Sequence, residues 1–146
     1  MKMLRAMGGI FAAMTPMASA LAAGAPGVFA PNANGQIQFT VPSHNIECAF
    51  TPAGGTPNYK PRDSQAELSC DRAKPEYVSF TLGARGKPRL TKNPGEQPCC
   101  ISEPVLAYGS TWKQGPFSCA STPTGLTCKR ADGRGFLVSK SRTSLF

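Results

Sequence analysis

The sequence predicts an all-β domain, a small disulfide-stapled barrel or sandwich of six to eight short antiparallel strands. Short segments of alternating apolar and polar residues stand between turn residues, as in strands with one buried face. The 14 prolines and 15 glycines interrupt the chain too often for long helices. Six cysteines supply the covalent support that a domain poor in apolar residues needs. Together these features favour β structure over helix.

The clearest strand patterns are residues 36–41, 77–82 and 135–139, which are rich in β-branched and aromatic residues. Asp132-Gly133 is a strong signal for a two-residue hairpin turn. It predicts that residues 126–131 fold back onto residues 134–139, which makes residues 116–139 a three-strand meander. We expect the core to draw on four aromatic residues, Tyr108, Trp112, Phe117 and Phe136. The sequence shows no internal repeat.

The N-terminal residues have the pattern of a signal peptide. Lys2 and Arg5 precede an uncharged stretch that is rich in Ala, Met, Leu and Phe and ends in small residues. Cleavage is expected after Ala20 or Ala23. A retained membrane anchor is disfavoured, because Pro16 and other breaks interrupt a segment that needs about 20 continuous apolar residues.

Three regions follow from this pattern: a signal peptide (1–23), a flexible leader (24–35) and a secreted all-β domain (36–146). We expect an extracellular or periplasmic location and no transmembrane segment after cleavage. The whole chain carries 16 basic and 8 acidic residues. Loss of Lys2 and Arg5 leaves 14 basic residues against 8 acidic ones, a net charge of +6.

The cysteines indicate a disulfide framework, because their number is even and the chain is small and exported. A hairpin with residues 122–125 as its loop places Cys119 opposite Cys128. Opposed strand residues lie about 4.5 to 5.5 Å apart at Cα, which suits a disulfide. This bridge closes a loop of about ten residues and contributes roughly 2.5 to 3 kcal/mol on the chain-entropy model.

Cys48 and Cys70 flank a Gly/Pro/Lys loop between two further strand-like segments, and we expect them to form a second hairpin bridge. Cys99 and Cys100 are then left to pair with each other. The alternative is that Cys99 and Cys100 each bond to a different one of Cys48 and Cys70. A metal site is disfavoured, because no Cys-x-x-Cys occurs and His44 is the single histidine.

No catalytic constellation is recognisable, so we predict a non-catalytic domain without cofactor or metal. His44 follows Ser43, yet neighbouring strand residues point to opposite faces, which favours an exposed strand-edge or turn histidine. Oxidised cysteines offer no thiolate. All mature carboxylates but Glu47 lie in turn-like or Lys/Arg-flanked contexts such as Asp71-Arg72, which favours solvated surface charge. A small cell-wall hydrolase that uses Glu47 is therefore the alternative from the enzyme class.

Basic residues form two clusters that are candidates for anion binding. They are Arg85, Lys87, Arg89 and Lys92 in the first cluster, and Lys129, Arg130 and Arg134 in the second. The competing interpretation is a solvated loop and an edge strand whose cations prevent sheet-to-sheet aggregation. Export disfavours nucleic acid as the partner.

Several short sequence motifs resemble those of a bacterial family of small secreted domains of unknown function. They are the segment Pro42-Ser43-His44-Asn45-Ile46-Glu47-Cys48, then Leu106-Ala107-Tyr108-Gly109, Phe117-Ser118-Cys119-Ala120-Ser121, Gly125-Leu126-Thr127-Cys128 and Gly133-Arg134-Gly135-Phe136. The similarity spans most of residues 39–140. His44 stands where that family has Gly, and Arg134 where it has His, so no role of the family histidine carries over. The resemblance implies an exported β domain and no activity.

The leading hypothesis from the sequence is a secreted domain that contacts an anionic envelope component or another exported protein, with residues 85–92 as the first candidate surface. A small cell-wall-active hydrolase is the second hypothesis. The third is an inhibitory module that docks on an enzyme through an aromatic face that includes Trp112.

Overall fold

The computed structural model describes residues 24–96 and 99–146, which form two antiparallel five-stranded sheets and no helix. The first sheet contains β1 (Ile37–Thr40), β2 (Ile46–Thr51), β3 (Glu67–Arg72), β4 (Val78–Gly83) and β5 (Arg89–Lys92). The second contains β6 (Thr111–Gln114), β7 (Phe117–Thr122), β8 (Gly125–Arg130), β9 (Gly135–Val138) and β10 (Thr143–Leu145). Each sheet is a meander, because strands that are consecutive in the chain are neighbours in the sheet. Two separate sheets that share one core make a sandwich.

The all-β prediction is confirmed, but the predicted number of strands is too low, because the described residues form ten. The strands with clear alternation were found from the sequence, including the meander of β7, β8 and β9. The additional ones are short and exposed: β5 and β6 each bury at most one residue fully, and β10 buries none. An edge strand that buries so little carries no alternating pattern for sequence reasoning to detect.

Aromatic side chains from both sheets meet in the core. The ring centroids of Phe39 and Trp112 lie 5.1 Å apart, and those of Phe80 and Phe136 lie 4.8 Å apart. Trp112, Phe117 and Phe136 are buried as expected. Tyr108 is 43% exposed, which corrects its assignment to the core. Tyr108 lies in a turn of the segment that connects β5 to β6, and neither sheet covers it.

The structure has three disulfides: Cys48–Cys70, Cys119–Cys128 and Cys99–Cys100. The first two join directly opposed residues of β2 and β3 and of β7 and β8, with a Cα separation of 4.1 Å in each. Their sulfurs meet at the centre of the sandwich, where Cys70 Sγ and Cys128 Sγ are 4.0 Å apart. The two hairpin bridges therefore form one sulfur cluster that touches both sheets.

The two sheets are related by an internal repeat, although the sequence showed none. β3 contains Leu-Ser-Cys-Asp-Arg (68–72) and β8 contains Leu-Thr-Cys-Lys-Arg (126–130). The strand register extends the match. Cys70 pairs with Phe80 on the neighbouring strand of its sheet, and Cys128 pairs with Phe136 in the same way. Equivalent residues also contact each other across the sandwich: Cys70 contacts Cys128, and Phe80 stacks on Phe136.

Two buried arginines tie the sheets together at equivalent places in the repeat. Arg72, at the end of β3, donates a 2.9 Å hydrogen bond to the carbonyl of Ser139. Arg130, at the end of β8, donates a 2.7 Å hydrogen bond to the carbonyl of Gly83. Ser139 follows Val138, which pairs with Leu126. Gly83 follows Leu82, which pairs with Leu68, so Ser139 and Gly83 occupy equivalent positions. Each end of the sandwich is therefore closed by one inter-sheet arginine.

The start of the described chain lies along the second sheet. Gly27 forms a parallel bridge with Trp112, and Phe29 packs against Phe39. The predicted flexibility of residues 24–35 stays a prediction, and the predicted signal peptide lies outside the described residues. Within residues 24–96 and 99–146 no helix meets the length and hydropathy needed for a membrane span.

Candidate anion-binding cleft

A basic cleft lies at the end of the sandwich where the β2–β3 loop meets the β4–β5 turn. Its volume is about 260 Å³. The charged residues that line it are Arg62, Arg85, Lys87, Arg89, Asp63 and Glu67. The first sequence cluster thus supplies Arg85, Lys87 and Arg89, while Arg62 comes from a different loop. We call these four cations the basic cleft.

The two acidic residues do not cancel the positive charge of the basic cleft. Glu67 is only 4% exposed and accepts a 2.5 Å hydrogen bond from the hydroxyl of Tyr59. Burial, together with the hydrogen bond and charge of Glu67, raises the pKa of Tyr59 to about 12. Asp63 accepts a hydrogen bond from the backbone N–H of Gln65. Four cations against two carboxylates leave a local excess of two positive charges.

The cationic side chains of the basic cleft are available to a ligand. All four residues are exposed. Within the described part of the chain, Arg62, Arg85, Lys87 and Arg89 make no side-chain hydrogen bond or ion pair. Their charges can therefore pair with an external anion without first breaking an internal contact.

The backbone beneath the basic cleft is held in place by Arg130. Its guanidinium donates to the carbonyls of Gly83 (2.7 Å) and Gly86 (2.8 Å) in the β4–β5 turn. A bidentate pair with Asp132, at 3.0 and 2.6 Å, fixes the same group from the other side. The Arg130 hydrogen bond is the main cause that lowers the pKa of Asp132. A fixed turn loses less conformational entropy when a ligand binds.

Arg130 was predicted to bind anions, but only 5% of it is exposed and its guanidinium is occupied by these contacts. The other members of the predicted set lie outside the basic cleft. Lys92 is on β5, with its Nζ 3.6 Å from Glu76 Oε2. Lys129 is exposed on β8, and Arg134 is exposed beyond the β8–β9 turn. The structure therefore brings together three of the seven predicted cations and adds Arg62.

A pair of carboxylates lies on the outer face of the first sheet. Glu47 on β2 is directly opposite Asp71 on β3. Burial raises the pKa of Asp71, the charge of Glu47 raises it further, and hydrogen bonds from Ser79 and Tyr77 oppose the rise. The backbone N–H of Ser102 donates a 3.0 Å hydrogen bond to Glu47 Oε2. Sequence context predicted a solvated Asp71, whereas the strand pairing places it in a half-buried polar cluster.

Two groups of side chains bring possible metal ligands together: Cys48, Cys70 and Cys128, and Glu47 with Cys99 and Cys100. All five of these sulfurs are in disulfides, and a disulfide sulfur is not the thiolate that metal binding requires. His44 is exposed in the β1–β2 turn with a φ of 50°. It is thus the turn histidine expected from the sequence.

Comparison with known proteins places the chain in a family. Residues 52–146 match the model of a family of unknown function, DUF6636. The chain belongs to this family. The DUF6636 match includes β3 to β10 and the whole basic cleft, whereas β1, β2 and Cys48 precede it. No curated protein and no solved structure matches the chain.

Membership of DUF6636 fits the resemblance to a family of unknown function and assigns no activity. The motif at residues 42–48 lies outside the range that the family model matches. The three disulfides are consistent with an oxidising extracellular or periplasmic location.

Proposed function

We propose that this protein is a non-catalytic secreted domain that contacts a phosphate-bearing anionic polymer of the cell envelope through the basic cleft. The observation that carries the proposal is the convergence of four cations without an internal partner among the described residues: Arg62 from the β2–β3 loop, Arg85 and Lys87 from the β4–β5 turn, and Arg89 at the start of β5. Such a cluster attracts polyanions by its field and holds them by direct ion pairs.

The residue types in the basic cleft favour phosphate among the possible anions. Three of its four cations are arginines. A planar guanidinium forms paired hydrogen bonds with phosphate oxygens, and it sheds water more readily than an ammonium group does. Outside the cytoplasm, teichoic-type polymers offer phosphates at regular intervals. Several moderate contacts along one polymer then add up through avidity.

The proposal is tested by binding of the mature protein to poly(glycerol phosphate) at several salt concentrations. We expect the affinity to fall steeply with salt, because exposed ion pairs are screened. The double variant Arg85→Ala/Arg89→Ala should bind about tenfold more weakly, since two ion pairs at up to about 1 kcal/mol each are removed.

The matched control is Lys129→Ala/Arg134→Ala, which removes the same charge from exposed positions outside the basic cleft. It should retain affinity within about twofold. An equal loss of affinity in the two double variants would show that net charge, rather than the basic cleft, drives binding. Binding that ignores salt would also contradict the proposal.

A small hydrolase remains the second candidate, because Glu47 and Asp71 form a carboxylate pair. Neither residue lines the basic cleft or the larger cavity described below. Turnover of a cell-wall substrate that is lost in Glu47→Gln would establish this function in place of binding. Docking through Trp112 has less support, since that side chain is 2% exposed.

A further inference from the structure

A second cavity opens at the other end of the sandwich, where the β1–β2, β3–β4, β7–β8 and β9–β10 turns meet. Its volume is about 360 Å³, within the range of small-molecule sites. Val41, Ile46 and Ser121 form part of its wall, and Lys74, Lys140 and Tyr108 also line it. We call this space the end cavity. None of its residues belongs to the basic cleft.

The internal repeat explains why there is space at this end. Ser121 is two residues after Cys119 on β7, and its equivalent on β2 is Phe50, two residues after Cys48. Phe50 is buried and packs against Phe117, with ring centroids 6.1 Å apart. Ser121 replaces that aromatic ring with a hydroxymethyl group. The smaller side chain of Ser121 thus leaves space in the wall of the end cavity.

The Ser121 hydroxyl is a buried polar group without a partner. Ser121 is 2% exposed, and its Oγ makes no hydrogen bond within the described part of the chain. Buried hydroxyls are almost always hydrogen-bonded in folded proteins, and an unpaired one is costly. Ser121 also belongs to the lining of the end cavity, so a ligand bound there can supply the missing hydrogen-bond partner.

The charges around the end cavity specify an anion. Lys74 and Lys140 are exposed at its mouth, and none of the described residues that line it is acidic. Asn45 fixes the turn that carries Lys74, because its side-chain amide exchanges two 2.8 Å hydrogen bonds with the Lys74 backbone. Arg72 holds the neighbouring Ser139 carbonyl at 2.9 Å. The cationic rim is thus attached to a fixed backbone.

The remaining surface suits a hydroxyl-bearing ring. Ser43, Thr122 and Thr124 bring further hydroxyl groups to the end cavity. Tyr108 is 43% exposed and offers an aromatic ring, on which the apolar face of a sugar can stack. Two ammonium groups, several hydroxyls and one aromatic ring match a saccharide that carries a carboxylate.

We propose that the end cavity binds a hexuronic acid unit, with its carboxylate at Lys74 and Lys140, one hydroxyl at Ser121 and its ring against Tyr108. This site is separate from the basic cleft and goes beyond the proposed function, because the ligand is a carboxylated sugar and the residues that bind it are different. The domain then has two anion sites at opposite ends, for chemically distinct ligands.

The test is titration of the ¹⁵N-labelled mature protein with glucuronate, with glucose and acetate as probes that lack the carboxylate and the sugar ring, respectively. We expect saturable shifts at the amides of Ser121, Thr124 and Lys140 with glucuronate alone. Ser121→Phe should weaken binding at least tenfold, because it fills the end cavity as Phe50 fills the equivalent space. Ser121→Ala removes only the hydroxyl and should weaken binding about threefold to tenfold.

The control variant is Lys113→Ala, which removes an exposed charge on β6 outside the end cavity and should bind as the parent does. No saturable binding of glucuronate would overturn the proposal, and so would equal shifts with acetate. If glucuronate binding survives Ser121→Phe but is lost in Arg85→Ala/Arg89→Ala, the ligand occupies the basic cleft instead. Failure of poly(glycerol phosphate) to bind would leave these glucuronate results unaffected.

Discussion

At the scale of single residues, the two arginines of the Leu-x-Cys-x-Arg segments are the clearest departure from what their sequence suggests. Arg72 and Arg130 lie among charged neighbours in the chain, yet each is 5% exposed and donates to carbonyls of the opposite sheet. Sequence reasoning placed Arg130 with the anion-binding residues because it stands next to Lys129 and close to Arg134 in a basic cluster. The contact with Gly83 depends on how the two sheets stack, which no local pattern contains.

Arg130→Ala should lower the free energy of unfolding by about 2 to 4 kcal/mol, because the carbonyls of Gly83 and Gly86 lose a charged and buried donor. Arg134→Ala is the matched control and should change it by less than about 0.5 kcal/mol, since Arg134 is exposed. Urea unfolding measures both values. Equal values for the two variants would show that the guanidinium contacts of Arg130 contribute nothing to stability.

Asp71 predicts a pH dependence of stability. Burial raises its pKa in the folded state, so the folded protein holds this proton more tightly than the unfolded chain does. Stability from this group is present at low pH and is lost as pH rises through the raised pKa of Asp71, which lies above the ordinary value of 3.8. Asp71→Asn should therefore unfold at higher urea concentration than the parent at pH 7.

At pH 3 the advantage of Asp71→Asn should disappear, because the aspartate is then protonated in both states. The hydrogen bonds from Ser79 and Tyr77 can still be accepted by the asparagine carbonyl, which makes the variant a close match. If Asp71→Asn is less stable than the parent at pH 7 and equal at pH 3, the sign of the assigned pKa shift is wrong.

At the scale of strands and turns, the hairpins were predictable, whereas the exposed edge strands β5, β6 and β10 were not. Thr122 and Gly125 pair, as do Ser121 and Leu126, which is the register expected from the turn residues. The cysteine pairings follow from such registers. For residues 85–92 the sequence predicts a basic loop, with an edge strand as part of the competing interpretation. No residue of β5 is fully buried, so the strand carries no alternating pattern that would decide between them.

The two hairpin disulfides should contribute unequally to stability. The Cys48–Cys70 bridge spans 22 positions and the Cys119–Cys128 bridge spans 9. On the chain-entropy model, replacing the shorter bridge with two alanines costs roughly 2.5 to 3 kcal/mol, and replacing the longer one costs about 3.5 kcal/mol.

Urea unfolding of Cys119→Ala/Cys128→Ala and Cys48→Ala/Cys70→Ala measures the two contributions. The variants are matched, because each removes two buried sulfurs from the same central cluster. A larger loss from the shorter loop would mean that packing at the sulfur cluster, rather than loop length, sets the contribution of each bridge.

At the scale of the whole molecule, features that form only when two distant segments come together could not be predicted from the sequence. The internal repeat was missed because its halves share little more than Leu-x-Cys-x-Arg, and the cysteine separations are 22 in one half and 9 in the other. Arg62 joins Arg85 and Arg89 only because the β2–β3 loop and the β4–β5 turn lie at the same end of the sandwich. The end cavity likewise follows from comparing Ser121 with Phe50 across the repeat.

The sulfur cluster predicts how the whole domain responds to reduction. Two disulfides in contact at the centre of the core join adjacent strands within each sheet. Loss of disulfides from a small secreted domain costs about 2 to 5 kcal/mol each, comparable with its total stability. We expect the mature protein to lose its near-ultraviolet circular dichroism in strong reductant at 37 °C. An unchanged spectrum after complete reduction would show that apolar packing alone holds the sandwich.

The most direct test of the central claim, that the basic cleft is the binding surface, is amide mapping with poly(glycerol phosphate). The ¹⁵N spectrum of the mature protein is recorded as the polymer is added at low salt and again at high salt. The basic cleft predicts salt-sensitive shifts grouped at Arg62, Arg85, Lys87 and Arg89, with the amides of Lys129 and Arg134 unmoved. Shifts grouped at Lys129 and Arg134, or spread evenly over the surface, would contradict it.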